Sequence, residues 1–126
     1  MSDKDIQLVR DLLDNYRLLL FNRKKLGDYR MKQVLGIELE DADEVMNDLQ
    51  ASIEDIKDLP LYGELYYGLI YENYVEPETK TKEEIAQDLN VSVITAYRHR
   101  QKAIQLIADI FMTRQKGVNK HEQQVI

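Results

Sequence analysis

Apolar side chains return every third or fourth residue from the start of the chain. Ile6, Val9, Leu13, Tyr16 and Leu20 step by 3, 4, 3 and 4, and Leu12, Leu19 and Leu26 widen the stripe. That spacing follows the turn of an α-helix and predicts an amphipathic helix from Asp3 to about Leu26. Ser2 or Asp3 can cap its start, Asp3 and Asp5 suit its positive end, and Arg23, Lys24 and Lys25 suit its negative end. Gly27 is well placed to stop it. Over residues 28–40, Met31, Val34 and Leu35 support a short helix or an irregular connection, interrupted by Gly36. Val45, Met46, Leu49, Ile53 and Ile56 restore the helical spacing and predict a helix from Asp41 to Leu59. Pro60 ends or kinks it, because a proline disfavours helical geometry in the residue before it. Leu65, Leu69 and Ile70 then recur among five tyrosines, Tyr62, Tyr66, Tyr67, Tyr71 and Tyr74. The run VEPETKTK at 75–82 reads as a turn-rich linker, and the last ten residues, without periodicity, as a flexible tail.

Residues 81–107, TKEEIAQDLNVSVITAYRHRQKAIQLI, hold the densest local signals. Thr81 followed by Glu84 is a capping box, in which a hydroxyl and a carboxylate satisfy two free N–H groups at a helix start. Ile85, Ala86 and Leu89 give that helix an inner face, with Ala86 small enough for a close crossing. Asn90 suits a left-handed turn residue, Val91 a plug into the core, and Ser92 the cap of a second helix running to about Phe111. At 100° per residue, Ala96, Ala103 and Ile107 lie within about 40° of one another. Ile94, Arg98, Gln101, Lys102 and Gln105 face the other way, with Thr95 at the edge. Arg100 falls near the inner side, where its head is expected to reach Glu83, Glu84 or Asp88. Two helices, a tight plugged turn and a basic outer face are the parts of a helix-turn-helix. No strand pattern survives, so the predicted fold is an all-α helical bundle with a C-terminal helix-turn-helix. Its expected divisions are a helical region at 1–60 for core, dimerisation or partner contact, a helix-turn-helix region at 61–116, and the tail at 117–126.

Charge changes this picture. The net charge of −6 argues against nucleic acid taken as a bulk figure. Its distribution does not. Residues 1–79 carry 9 basic and 18 acidic side chains, whereas residues 80–116 carry 7 basic and 4 acidic. The second helix of a helix-turn-helix fits the major groove with its first residues at base edges. Ser92 and the N–H groups after it can hold a phosphate, Arg98 can reach a guanine or a phosphate, and Val93 and Ile94 can touch thymine methyl groups. The candidate DNA contacts are therefore Ser92, Val93, Ile94, Thr95, Arg98 and Lys102, with Tyr97, His99 and Gln101 as second choices.

Composition narrows the alternatives. With no cysteine, disulfides, cysteine-based zinc sites and thiol catalysis are excluded. The charged start has no signal-peptide pattern, and no stretch of about 18 apolar residues could span a membrane. A cytoplasmic protein is expected. His99 and His121 lie far apart, and Asp41, Asp43 and Glu44 lack the spacing of a metal loop, so no metal, cofactor or catalytic activity is expected. The tyrosines sit among Glu64, Glu72 and Glu76, which favours packing over stacking on single-stranded bases. The first helical stripe fits either packing within the monomer or a homodimer seam.

The pattern E-I-A-x-x-L-x-V-S-x-x-T, from Glu84 to Thr95, resembles region 4 of bacterial sigma factors. Its continuation Tyr97-Arg98-His99-Arg100, then Ala103-Ile104, is similar to phage regulators of the ArpU and RinA type, which activate late or packaging genes. Leu12-Leu13-Asp14-Asn15-Tyr16-Arg17 resembles their N-terminal helix, and Leu65 to Tyr74 the helix before their helix-turn-helix. Asn90 stands where the broader sigma-like pattern carries glycine, a mild departure. The resemblance implies a phage or prophage transcription regulator that binds double-stranded DNA, with RNA polymerase as a candidate partner of the acidic N-terminal part. Rival readings are a small terminase-like packaging subunit and a protein-interaction module such as an anti-sigma factor or antirepressor.

Overall fold

α-Helix makes up most of the chain, and no strand occurs among the described residues. The structure, a computed structural model, describes residues 3–21 and 42–124, with side chains over 3–20 and 44–116. The elements are α1 (Asp3–Asp14), α2 (Tyr16–Phe21), α3 (Ala42–Ile56), α4 (Gly63–Ile70), α5 (Lys82–Asp88) and α6 (Val93–Gln124), with a π-helical turn at Tyr71–Val75 continuing α4. The expected all-α bundle is what they form. The end of the first helix at Gly27 and the reading of 28–40 lie outside the described residues.

α1 and α2 are nearly one helix. The Asn15 N–H still donates to the Asp11 carbonyl at 3.2 Å, and Leu19 N–H donates to the Asn15 carbonyl at 2.9 Å. The Asn15 side-chain amide also donates to Asp11 O at 2.8 Å, a local competitor for the same carbonyl. The buried face differs slightly from the predicted stripe. Val9, Leu12, Leu13, Tyr16 and Leu19 are buried, while Leu20 sits at the outer edge, 42% exposed. A step of 3 from Tyr16 keeps to the inner face better than a step of 4 here.

α6 is the element against which α1, α3 and α4 all pack. The main core joins the α1–α2 face to Val45, Met46, Leu49, Ile53 and Ile56 of α3, Tyr66 and Ile70 of α4, and Ala103, Ile104, Ile107, Ala108 and Phe111 of α6. Fully burying one such leucine or isoleucine contributes about 1.5–3 kcal/mol. A second, smaller core of Leu69, Ile85, Ala86 and Ala96, with Leu65, Leu89 and Val91 against it, lies under α5 and the start of α6. α4 and α6 thus serve both cores, and residue 60 is a turn inside a shared packing unit. At that turn Leu61 has φ of 70° and is 94% exposed. Gly63 follows because an added Cβ would meet the Lys57 and Ile56 carbonyl oxygens at 2.7 and 2.8 Å.

The π-helical turn exposes carbonyls that need donors. Arg17 of α2 supplies them, its Nε donating to Glu76 O at 2.6 Å and its Nη2 to Glu72 O at 3.3 Å. This ties the first helix to the end of α4. Across α6, Arg114 pairs with Asp55 at 2.6 Å and Gln115 donates to Asp48 at 2.6 Å. The backbone of α6 runs on through Gln124, where the lack of periodicity predicts an irregular tail. Helix propagation costs little once a long helix has been nucleated, so it needs no apolar face of its own.

Candidate nucleic-acid interface

The turn between α5 and α6 is built by short-range hydrogen bonds that its residue types provide. The Thr81 hydroxyl accepts from Glu84 N–H at 3.1 Å, and the Thr81 N–H donates back to Glu84 Oε1 at 3.2 Å. This is the predicted capping box. At the other end of α5, Asn90 N–H donates to Gln87 O at 3.1 Å and Val91 N–H to Ala86 O at 3.0 Å. With Asn90 at φ 57°, these are the two bonds of a Schellman turn, and Val91 packs into the same small core as Ala86. Leu89 closes on α4 at Gly68, where an added Cβ would stand 2.8 Å from Leu89 Cδ2. Ser92 then caps α6, its Oγ accepting from Thr95 N–H at 3.1 Å.

This turn aims the start of α6 outward. Ala96 faces the small core, while Val93, Ile94 and Tyr97 are 39%, 66% and 57% exposed. Arg98 and Lys102 are exposed below them. Ile94, Arg98 and Lys102 follow one another at steps of four, a row rising about 12 Å along the helix. Neither cation forms an ion pair among the described residues, and nor does Lys82 at the start of α5. Ser92 is exposed, but its hydroxyl already donates to Thr95 Oγ1 at 2.8 Å, and Thr95 is half-buried. Of the predicted contacts, Val93, Ile94, Arg98 and Lys102 therefore present free side chains, while Ser92 and Thr95 present mainly the helix start. Beside this row lies a cavity of about 270 Å³ with an apolar lining that includes Leu69, Ile85, Val93, Ile94, Ala96 and Tyr97.

One expectation is corrected, and two of the second-choice contacts are engaged within the protein. The Arg100 head does not reach Glu83, Glu84 or Asp88. It turns to the π-helical turn after α4, donating to Asn73 Oδ1 at 3.1 Å and lying 5.5 Å from the Tyr97 ring centroid. His99 packs against Tyr62 and Tyr66, with ring centroids 4.7 and 5.6 Å away. Gln101 accepts from Arg10 Nη2 at 2.8 Å, which ties α1 to α6. These second-choice residues face the protein because the α1 and α4 surfaces wrap that side of the helix.

Lys80 is basic in sequence but is not part of the free basic surface. It lies 2.7 Å from Glu72, 3.2 Å from Glu76 and 3.0 Å from Asp88. Hydrogen bonds to Glu72, Asp88 and Glu76 hold its ammonium charged well above the ordinary lysine range. Burial pushes the Glu72 carboxyl up, against the opposing pull of Lys80. The cluster pins the 75–82 linker between the π-helical turn and α5, and so fixes where the helix-turn-helix sits on the bundle.

Among the described residues no group of acidic or histidine side chains is arranged to hold a metal ion, and no helix is long and apolar enough to cross a membrane. No protein-family model matches the chain, and no curated protein or solved structure matches it either.

Proposed function

We propose that this chain is a sequence-specific regulator of transcription that binds double-stranded DNA in the cytoplasm through α6. The observation that carries the reading is the outward row at the start of α6. Two cations without an ion pair among the described residues, Arg98 and Lys102, share it with an exposed first turn, and a Schellman turn holds that turn clear of the bundle. A row of about 12 Å suits the major groove, which is about 12 Å wide. Ser92 and Thr95 position the helix start against the backbone, Val93 and Ile94 meet base edges, and Arg98 and Lys102 reach a base or phosphates. The likeness to sigma region 4 and to ArpU and RinA regulators supports a phage or prophage late-gene activator. On that reading the acidic N-terminal helices offer a surface to RNA polymerase or to a second copy of the chain.

A protein-interaction module is the second reading, and the exposed apolar side chains of Val93, Ile94 and Tyr97 favour it. Arg98→Ala separates the two. If Arg98 reads a base, the variant loses about 1–3 kcal/mol of binding to its preferred duplex at equal salt and relaxes sequence preference at one position. Unchanged affinity in a folded variant refutes the placement of the recognition face.

A further inference from the structure

We propose that the first turn of α6 recognises thymine through its 5-methyl group, so that the preferred duplex carries A·T pairs where the helix start enters the groove. The proposal rests on the DNA reading above and names the chemistry of the base it selects. Val93 and Ile94 carry no side-chain donor or acceptor, and both are exposed. A base edge in the major groove offers such side chains one specific partner, the thymine methyl. Tyr97, one turn further on and 57% exposed, extends the apolar surface with its ring. The patch is continuous with the cavity of about 270 Å³ beside it, whose lining also includes Leu69, Ile85 and Ala96. These three side chains are grouped at one helix start rather than scattered singly, as the apolar part of a binding surface is.

Charge identifies the occupant. Arg98 and Lys102 lie on the same row as Ile94, and Lys82 lines the same cavity, all without an ion pair among the described residues. An anionic ligand that projects small apolar groups at the helix start complements the site. Duplex DNA with thymines in its major groove meets both demands. An acidic amphipathic peptide meets them less well, because it brings one short row of charge rather than two flanking phosphate strands.

The test uses the full-length chain and the duplex enriched from a random pool. Each thymine is replaced in turn by deoxyuridine, which keeps base pairing and removes only the methyl group. Binding is expected to weaken about three- to fourfold at each contacted thymine, the effect of one buried methyl. Ile94→Ala and Val93→Ala should each lose most of the preference for thymine over deoxyuridine at the position that side chain contacts, and keep it at the other, with an unchanged salt dependence and an unchanged circular dichroism spectrum. Equal binding of both duplexes by the unaltered chain overturns the inference while leaving DNA recognition standing. Failure to enrich any duplex overturns both. Tight binding of an acidic amphipathic peptide, lost in Ile94→Asp, would then assign the patch to a protein partner.

Discussion

Lys80→Gln and Lys102→Gln each remove one positive charge from the basic third of the chain, yet they should act on different properties. Lys80 is spent inside the fold, where three carboxylates surround it. Lys102 is exposed on the outer row of α6 and has no ion pair among the described residues. With Arg98 at a base edge, and counting Lys102 and Lys82 as the cations that meet phosphates, each phosphate neutralised contributes about −0.9 to the slope of log affinity against log salt, for a slope of about −1.8 per monomer. Raising salt fourfold, from about 50 to 200 mM, should then weaken binding roughly 12-fold. Lys102→Gln lowers the slope to about −0.9 and the loss to roughly 3.5-fold. Lys80→Gln should leave the slope near its original value but lower the denaturation midpoint, because Glu72 keeps its burial and loses its cation. A dimer on two half-sites doubles the slopes and preserves their ratio. Fluorescence anisotropy on a labelled duplex across a salt series reads the slopes, and urea denaturation reads stability. If Lys80→Gln flattens the slope as much as Lys102→Gln, the division into a structural and a DNA-facing lysine is wrong.

Other consequences follow from particular contacts. Gly63→Ala would place a Cβ 2.7 Å from a backbone oxygen that cannot move cheaply, so it should cost about 1–3 kcal/mol by urea denaturation. Gly68→Ala should be milder, since it meets the flexible end of Leu89. Asn90→Gly should be close to neutral, whereas Asn90→Val should cost about 1–2 kcal/mol, because φ at that position is left-handed. A hydrogen bond shared with Glu72 and the nearby Lys80 hold Asp88 below its ordinary 3.8, so its stabilisation is present above that value and is lost as pH falls through the depressed one. Glu72 works in the opposite sense. Its carboxyl is raised above 4.5 by burial, so its protonation in mild acid relieves a penalty. The stability gap between the unaltered chain and Lys80→Gln should therefore begin to narrow in mild acid, as Glu72 takes up a proton, and close below about pH 3.8, as the depressed Asp88 does the same, which thermal melts across pH would show. A gap that stays constant as pH falls below 3.8 would contradict the assignment.

The parts of the structure that were legible in sequence are those whose chemistry is local. Thr81 finds Glu84 three residues on, Ser92 finds Thr95 at the same spacing, and Asn90 needs only its own backbone angle. Apolar periodicity likewise gave the helices and most of the buried face of α6, because a helix displays its own pattern. What was not legible depends on partners brought together by packing. Arg17 reaches carbonyls 55 and 59 residues away, and Arg100 reaches Asn73, 27 residues back. His99 could not be placed until α4 set Tyr62 and Tyr66 beside it. The engagement of Lys80 was not legible for the same reason. Its three carboxylates come from the π-helical turn, the linker and α5, and no spacing rule connects them. At the candidate site, the outward side chains of Ile94, Arg98 and Lys102 could be read from the helical wheel, but the cavity beside them and the engagement of the Ser92 hydroxyl could not.

Selection from a pool of random duplexes at near-physiological salt tests most directly whether α6 reads duplex DNA. The full-length chain is predicted to enrich a defined motif, containing thymines where the first turn of α6 meets the groove, and to lose that enrichment in Arg98→Ala. Weak, salt-sensitive binding with no enriched sequence, unchanged by Arg98→Ala, would contradict the account.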